Sequence, residues 1–448
     1  MVQNVFRSGL LLRDINRTFM VLIPKVTGVT EVKHLRSISL CNTTYKIIAK
    51  ILANRLKQVI KKIISPSQSV FVPRRWIGEN AILANEVLHS MNRKKGMKGI
   101  IGIKVDMQKA YDRVDWVMIS RILILFGFSD KVAKLVLNCI SSISMELLLN
   151  GSIFDKIPME RGLWQGDPLS PFLFILMAKL LSRMLFKWEI DRKITGMKFG
   201  CSSPSVTHLL FGDDVIIFCG ANTEEACNIH RCLQLYWKWT GQSFNRENSE
   251  CFFSRNVSSK GKSDIKKILG RKELEKNTKH LRLPLFLLKN KSETFQHLQR
   301  KVETRIQGWK AKLLSQAGRA TLIKHMVTSI PVYTMSTFLL PKGWCQRIQS
   351  KARAFLWTND TSNMRGFNPI AWRKVCQSKF NGGLGIKHLW NFNKALIAKI
   401  GWCLATDDQA LWVQALKAKY FPHSSFMKCK KKNHCSWLWS GVLRLEIF

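Results

Sequence analysis

The stretch HLLFGDDVIIFCG, residues 208–220, sets two adjacent carboxylates, Asp213 and Asp214, behind a glycine and between two short apolar runs. Each run has the length and composition of a strand, and Gly-Asp-Asp has the composition of a tight turn. The expected element is a β-hairpin with two negative charges at its tip. Like charges held that close repel, so something must offset them. The rest of the chain sharpens the point: its 448 residues carry 72 Lys and Arg against 29 Asp and Glu, a formal charge of +43.

Such a surplus of cations implies a polyanionic partner, since self-repulsion alone only destabilises a compact chain. Nucleic acid is the first candidate and an anionic membrane surface the second. The best apolar run, PFLFILMAKLLSRMLF at 171–186, is too short for a span and carries Lys179 and Arg183, which argues against a membrane. Met1 is not followed by a signal-peptide pattern. The 12 cysteines are scattered without a Cys-x-x-Cys pair, as expected of reduced thiols in an intracellular protein. Cys429 and Cys435 flank KKKNH, but two Cys and one His do not complete a zinc site. With 46% apolar and 23% charged residues, the chain reads as globular and long enough for two or three domains.

Working outward from the hairpin, GIIGIKVDMQKAYDRVDW (99–116) reads as a β-branched strand, a polar turn and the start of a helix, with Asp106 at the strand's end. ERGLWQGDPLSPFLFILMAKLLSRMLF (160–186) is a Gly/Pro-punctuated loop feeding an apolar helix. ACNIHRCLQLYWKWTGQSFN (226–245) reads as a helix ended by Gly241. NTTYKIIAKILANRLKQVIKKIISPSQ (42–68) predicts a long amphipathic helix capped by Thr43 or Thr44, its apolar row running Ile48, Ile51, Leu52, Leu56, Val59, Ile60 and Ile63. Residues 293–330 and 343–357 are helical, basic and Trp-containing, and a domain boundary is placed near 285–292.

If the strand ending at Asp106 neighbours the 208–220 hairpin in one sheet, Asp106, Asp213 and Asp214 converge. Oxygen-only ligands of that kind suit Mg²⁺, which takes one or two carboxylates together with substrate phosphates. Two such ions about 3.5–4 Å apart stabilise the attacking and leaving oxygens of an in-line phosphoryl displacement. A solvated Asp-Asp turn without any ligand is the alternative, and Asp106 and the basic composition weigh against it.

Several blocks in fixed order carry a family resemblance: GLLLRDINRTFMVLIPK (9–25), SISLCNTTYKIIAKILANRL, QSVFVPRRWIGENAIL, VDMQKAYDRVDW (105–116), GLWQGDPLSPFLF (162–174), FGDD, HLRLPLF (280–286), and the segments 309–342 and 382–402. The chain resembles the reverse transcriptase of plant LINE-type, non-LTR retrotransposons over nearly its whole length. The resemblance implies an α+β right-hand polymerase with fingers, an antiparallel-sheet palm and a helical thumb. It implies that Asp106, Asp213 and Asp214 hold two Mg²⁺ ions, with the main-chain carbonyl of Met107 as a further ligand. Tyr111 matches the aromatic that closes the sugar pocket, where a 2′-OH would clash, and Gln165 and Gly166 match the loop beside the templating pair. Lys25, Arg36 and Arg75 are candidate contacts to the incoming triphosphate, since phosphates favour Arg forks and Lys point charges.

The domains expected from the resemblance are the end of a linker at 1–18, fingers and palm at 19–286, a thumb and connection at 287–425, and the start of a C-terminal region at 426–448. An endonuclease before it and a zinc-binding or RNase H region after it are expected in such proteins, so the chain reads as a fragment. The implied activity is RNA-directed DNA synthesis on an RNA template and a DNA primer or target strand with dNTPs, in the nucleus. Oligomeric state stays open. One departure bears on turnover: GQSFNRENS (241–249) places Asn248 where a lysine is usual, and Arg246 is a poor proton donor in its stead. Others are RSIS (36–39), Arg74 for a usual Gly, and Gly212 before the acids. A catalytically impaired or co-opted nucleic-acid-binding protein on the same fold is therefore the alternative, and an RNA-dependent RNA polymerase is a second, which Tyr111 opposes.

Overall fold

The computed structural model describes the chain apart from residues 275–277, 289, 309–312, 359–367, 408, 430–432 and 446–448, and apart from the side chains of 246–248. It divides into two units, Met1–Asn80 with Met91–Met197 and Ser205–Leu274, and Ala81–Ser90 with Lys198–Pro204 and Glu275–Phe448. The division falls at 274/275, upstream of the segment 285–292.

In the first unit, β3 (Ile100–Gln108) lies at the middle of a five-stranded sheet ordered β6 (His208–Phe211), β7 (Asp214–Gly220), β3, β8 (Ser243–Phe253) and β9 (Lys272–Glu273). The first four strands pair antiparallel, and β9 adds to β8 in parallel. Strand alternation sends Ile101, Ile103, Val105 and Met107 into the core and leaves Lys104 and Asp106 half-buried on the other face. A second sheet, ordered β2 (Leu35–Cys41), β1 (Arg17–Pro24), β4 (Ser144–Leu149) and β5 (Ser152–Ile157), contains a parallel β1–β4 pair, and Arg17 Nη2 meets the buried Glu146 carboxylate at 2.8 Å across it.

Helices appear where the apolar spacing requires them. The Thr43–Ile63 helix buries Tyr45, Ile48, Leu52, Leu56 and Ile60. Its cap is Asn42, whose side chain accepts from the Thr44 amide at 2.9 Å, one or two residues before the expected Thr43 or Thr44. Val59, expected on the apolar row, is 37% exposed. The Thr223–Thr240 helix is capped by Asn222 and ends at Gly241, whose φ of 72° is the left-handed exit that glycine adopts freely. The Ser170–Ile190 helix is apolar nearly all round because it runs through the core, burying Leu173, Phe174 and Leu181.

The second unit is mainly helical: Gln296–Gln307, Gln316–Leu322, Lys342–Thr358, Leu389–Thr406, Leu411–Tyr420 and Trp437–Leu443 surround buried Trp344, Phe338, Phe355 and Trp439. A small hairpin, β10 (Lys279–His280) and β11 (Leu283–Pro284), turns through Leu281 and Arg282, both at positive φ (51° and 61°). Two positive φ values match the twist of a two-residue hairpin, yet a bulky Leu there is strained. No helix among the described residues is long and apolar enough to cross a membrane.

Gly102 shows how tightly the central sheet is built. It pairs with Phe218 on β7 and Phe252 on β8, whose rings meet edge-to-face at 6.3 Å. A Cβ on Gly102 would stand 2.1 Å from the Phe252 ring. Gly102→Ala should therefore cost about 1–3 kcal/mol by overpacking. Thermal melts should show Phe252→Leu rescuing part of that loss, and strictly additive effects would refute the contact as its cause.

Candidate active site

The hairpin of residues 208–220 forms as its composition requires. Phe211 pairs with Asp214, so Gly212 and Asp213 make a two-residue turn. Gly212 has φ 62° and Asp213 does not share the positive sign, the pattern that needs glycine at the first turn position. Asp214 begins β7, and its direct partner across the ladder is Asp106 of β3. Directly opposed residues of an antiparallel pair share one face with Cα atoms about 4.5–5.5 Å apart. Asp106, Asp213 and Asp214 are thus brought to one corner of the sheet from chain positions more than a hundred residues apart.

Their electrostatics report the proximity. Burial raises the Asp214 carboxyl to about 6, with Asp213 and Asp106 adding to the rise and Lys104 opposing it. The Asp213 carboxyl, though reaching solvent at the turn, is raised first by desolvation and further by Asp106, with its own main-chain hydrogen bond and Arg36 lowering it. Tyr111 is raised by burial and by Asp213, and its ring stacks on Phe174 with centroids 4.7 Å apart and planes 6° apart. Tyr111 and Arg36 therefore stand within electrostatic reach of the acids.

Gln165 and Gly166 are exposed and fastened to β2, the strand that carries Arg36. The Ser39 amide donates to the Gln165 carbonyl at 2.8 Å. Gly166 has φ 124°, and a Cβ there would sit 2.5 Å from the Ser39 carbonyl oxygen, so glycine alone permits this approach. The same loop is tied to Tyr111, whose carbonyl accepts from the Leu163 amide at 2.8 Å. Met107 turns its side chain into the core at 4% exposure, leaving only its main chain as a possible ligand. Lys25 is exposed, donates to the Lys33 carbonyl at 3.2 Å, and acts electrostatically on Asp112. Arg75, expected to contact phosphate, spends both terminal nitrogens on main-chain carbonyls: Nη1 on Ser65 and Gln68 at 2.5 and 2.7 Å, Nη2 on Ile64 at 3.3 Å.

Those bonds secure the segment that backs the hairpin. The Ser67 carbonyl accepts from the Leu210 amide at 2.9 Å, and the buried Asn80 donates to the Leu210 carbonyl at 2.6 Å. Asn80 and Ser249 were not among the residues singled out in the sequence. Between Asn245 and Glu250 the β8 register shifts, so that residues 246–249 stand opposite Val105 alone. Ser249 fills the gap: its hydroxyl accepts from the Asp106 amide at 3.2 Å and donates to the Asn245 carbonyl at 2.6 Å. A bulge beside a functional residue is a common way to re-aim it. The side chains of Arg246 and Asn248 lie outside the described residues. Asp167 of the Gln-Gly-Asp-Pro block is buried and structural, accepting from the Leu169 and Ser170 amides at 3.2 and 2.8 Å.

A sequence profile of the reverse transcriptase (RNA-dependent DNA polymerase) family matches residues 23–281, more than half of the chain. The chain belongs to the reverse transcriptase family. It is 28% identical over 361 residues to an uncharacterized 149 kDa protein of transposon TX1 from Xenopus laevis, covering 79% of this chain and 26% of that protein. A ribonuclease H protein described as putative in Arabidopsis thaliana is 38% identical over 138 residues, 31% of this chain and 22% of its own length. The type-2 retrotransposable element R2DM polyprotein of Drosophila melanogaster is 28% identical over 210 residues, 47% of this chain and 19% of the polyprotein. The chain thus spans about a quarter or less of these relatives. The structure of telomerase from Candida tropicalis with a fragment of telomeric RNA superposes with a TM-score of 0.43 at 13% identity, covering 89% of this chain and 63% of that one. Two of these relatives are proteins of transposable elements, and the α+β architecture is the right-hand polymerase fold of the family.

Reverse transcriptases generally use divalent metal ions. The donor set fits such an ion: an opposed carboxylate pair, a third acid beside it, and oxygen donors only. Among the described residues no three His, Cys, Asp or Glu side chains close tightly enough to cage an ion by themselves. A cation such as Mg²⁺ takes one or two carboxylates and keeps places for phosphate and water oxygens. Because Asp214 titrates near 6 without metal, Mg²⁺ uptake should release about half a proton at pH 6 and almost none at pH 8. Calorimetry in two buffers of different ionisation heat reads that number, and equal release at both pH values would count against Asp214 as a ligand.

Proposed function

We propose that the chain performs RNA-directed DNA synthesis in a non-LTR retrotransposon protein, extending a DNA primer or target strand on an RNA template in the nucleus. The primer 3′-oxygen forms a bond to the α-phosphorus of a dNTP, the α–β bridging bond breaks, and pyrophosphate leaves. The observation that carries this reading is the in-register pairing of Asp106 with Asp214 beside Asp213. In this reading Asp106, Asp213 and Asp214 hold two Mg²⁺ ions, with the Met107 carbonyl as a further ligand. Bound there, the ions would offset the charge that develops on the attacking and leaving oxygens.

The protein's own residues supply the geometry. Arg36 and Lys25 offer cations to the triphosphate from the β1–β2 sheet, while Arg75 positions the segment behind the hairpin. Tyr111, held flat against Phe174, presents an edge to the sugar and leaves no room for a 2′-OH. Gln165 and Gly166 lie along the template base, where only a glycine lets the main chain come near. Base pairing then chooses the nucleotide, and the protein contributes orientation and charge.

Asn248 favours a second reading, a polymerase-fold protein that binds nucleic acid without turnover. Primer extension on an RNA template with Mg²⁺ decides between them. Extension should occur with the unaltered chain and fall roughly a hundredfold or more in Asp213→Asn, the scale of losing one transition-state contact. Template-primer binding with no extension by either protein would leave only the second reading. Sugar choice is a separate readout. Tyr111→Val should lower the preference for dNTP over rNTP by about tenfold or more, and an unchanged ratio in competition assays would remove Tyr111 from the sugar pocket.

A further inference from the structure

The helical unit holds a cavity of about 290 Å³ lined by Trp390, Trp437, Lys342, Lys394, Arg444 and the 339–341 segment. That volume is at the small end of ligand pockets, which run from roughly 300 to 1,000 Å³. The lining follows from helical spacing. Trp390 and Lys394 are four residues apart on the Leu389–Thr406 helix and so share a face. Trp437 and Arg444 are seven apart, two turns, along and just past the Trp437–Leu443 helix. Arg444 lies 5.4 Å from the Trp437 ring centroid, and the Lys291 ammonium lies 5.7 Å from it. Among the described residues the lining contains no carboxylate.

Buried bonds hold the cavity in shape. Asn393 is fully buried; its amide donates to the Met335 and Phe338 carbonyls at 2.8 and 3.0 Å and its oxygen accepts from the Leu340 amide at 2.8 Å. The Trp437 indole donates to the Leu339 carbonyl at 3.2 Å. Gly441 lets the two segments meet: a Cβ there would stand 2.9 Å from the Leu339 Cβ. The 339–341 segment is therefore fixed before anything binds, which lowers the ordering cost of a ligand.

Three cations around so small a space ask for an anion, and two indoles ask for a flat π face. A nucleotide meets both demands, whereas an acidic peptide meets only the first. We propose that this cavity binds one unpaired nucleotide of a single-stranded polynucleotide, its base stacked on indole and its phosphates met by Lys342, Lys394 and Arg444. Stacking on aromatic side chains in a basic groove is how single strands are held without sequence choice. The simpler account is that the Lys and Arg stems merely cover the indoles; it predicts no preference for single strands.

The test uses the full chain and fluorescence anisotropy with labelled oligo(U) and oligo(dU) of about ten nucleotides, beside a blunt duplex of similar length. Trp390→Leu keeps apolar bulk and should weaken single-strand binding by about fivefold to a hundredfold, with duplex affinity unchanged. Lys394 is exposed, so Lys394→Gln leaves the fold intact and should reduce the salt slope for single strands by about 0.7. Loss on either oligonucleotide with the duplex intact supports the proposal, and which one is lost identifies the sugar that is recognised. Unchanged single-strand affinity and salt slope, or equal losses on single strand and duplex, would overturn it. Because the readout is binding, a chain without polymerase activity would still give an answer.

Discussion

Asp106 and Asp214 stand directly opposite each other on adjacent strands, and the candidate active site is arranged around that pairing. Opposed like charges destabilise a ladder. Here the cost is carried by the rest of the β3–β7 register, where Ile101, Ile103 and Val105 pair with Cys219, Ile217 and Val215 in the core. An apolar ladder specifies register strongly, because a one-residue slip would turn its whole core face to the opposite side. The repulsion therefore remains in the folded protein, where Asp213 and then Asp106 add to the rise in the Asp214 pKa that burial chiefly causes.

The neighbours of the pair make its position rigid. Ser249 occupies the main-chain amide of Asp106 from a bulged strand, and Arg75 with Asn80 secures the segment behind Leu210, two residues before the turn glycine. On the other side, the Gln165–Gly166 loop is fastened both to β2 and to the carbonyl of Tyr111. Several of these contacts are made through main chain, which side-chain variation does not remove. The acids, the tyrosine and Arg36 are thereby held in one electrostatic neighbourhood.

The charge surplus has a matching logic. Carboxylates are scarce in this chain, with 29 against 72 cations, and three of them are gathered at one corner of the central sheet. Others pair internally, as Glu146 does with Arg17 and Glu86 with Lys419 at 2.7 Å. A polyanion bound to the remaining cations gains affinity by releasing its counterions, without reading sequence. Within the helical unit the tryptophans beside Lys394 and Arg444 add a stacking surface to this charge.

How much was legible in the sequence depended on how local the cause was. Short-range sterics and periodicity determined the Gly212 turn, the two strands around it, the exit of the Thr223–Thr240 helix at Gly241 and the apolar row of the Thr43–Ile63 helix. The order of the motif blocks determined the family and, with it, the acids to watch. Tertiary structure alone decided that Asp106 faces Asp214, because register between strands a hundred residues apart is set by core packing. It also decided the bulge that brings in Ser249, the cap at Asn42 in place of Thr43 or Thr44, and the commitment of Arg75 to carbonyls. Each depends on where main-chain donors and acceptors finish after folding, which no local pattern encodes.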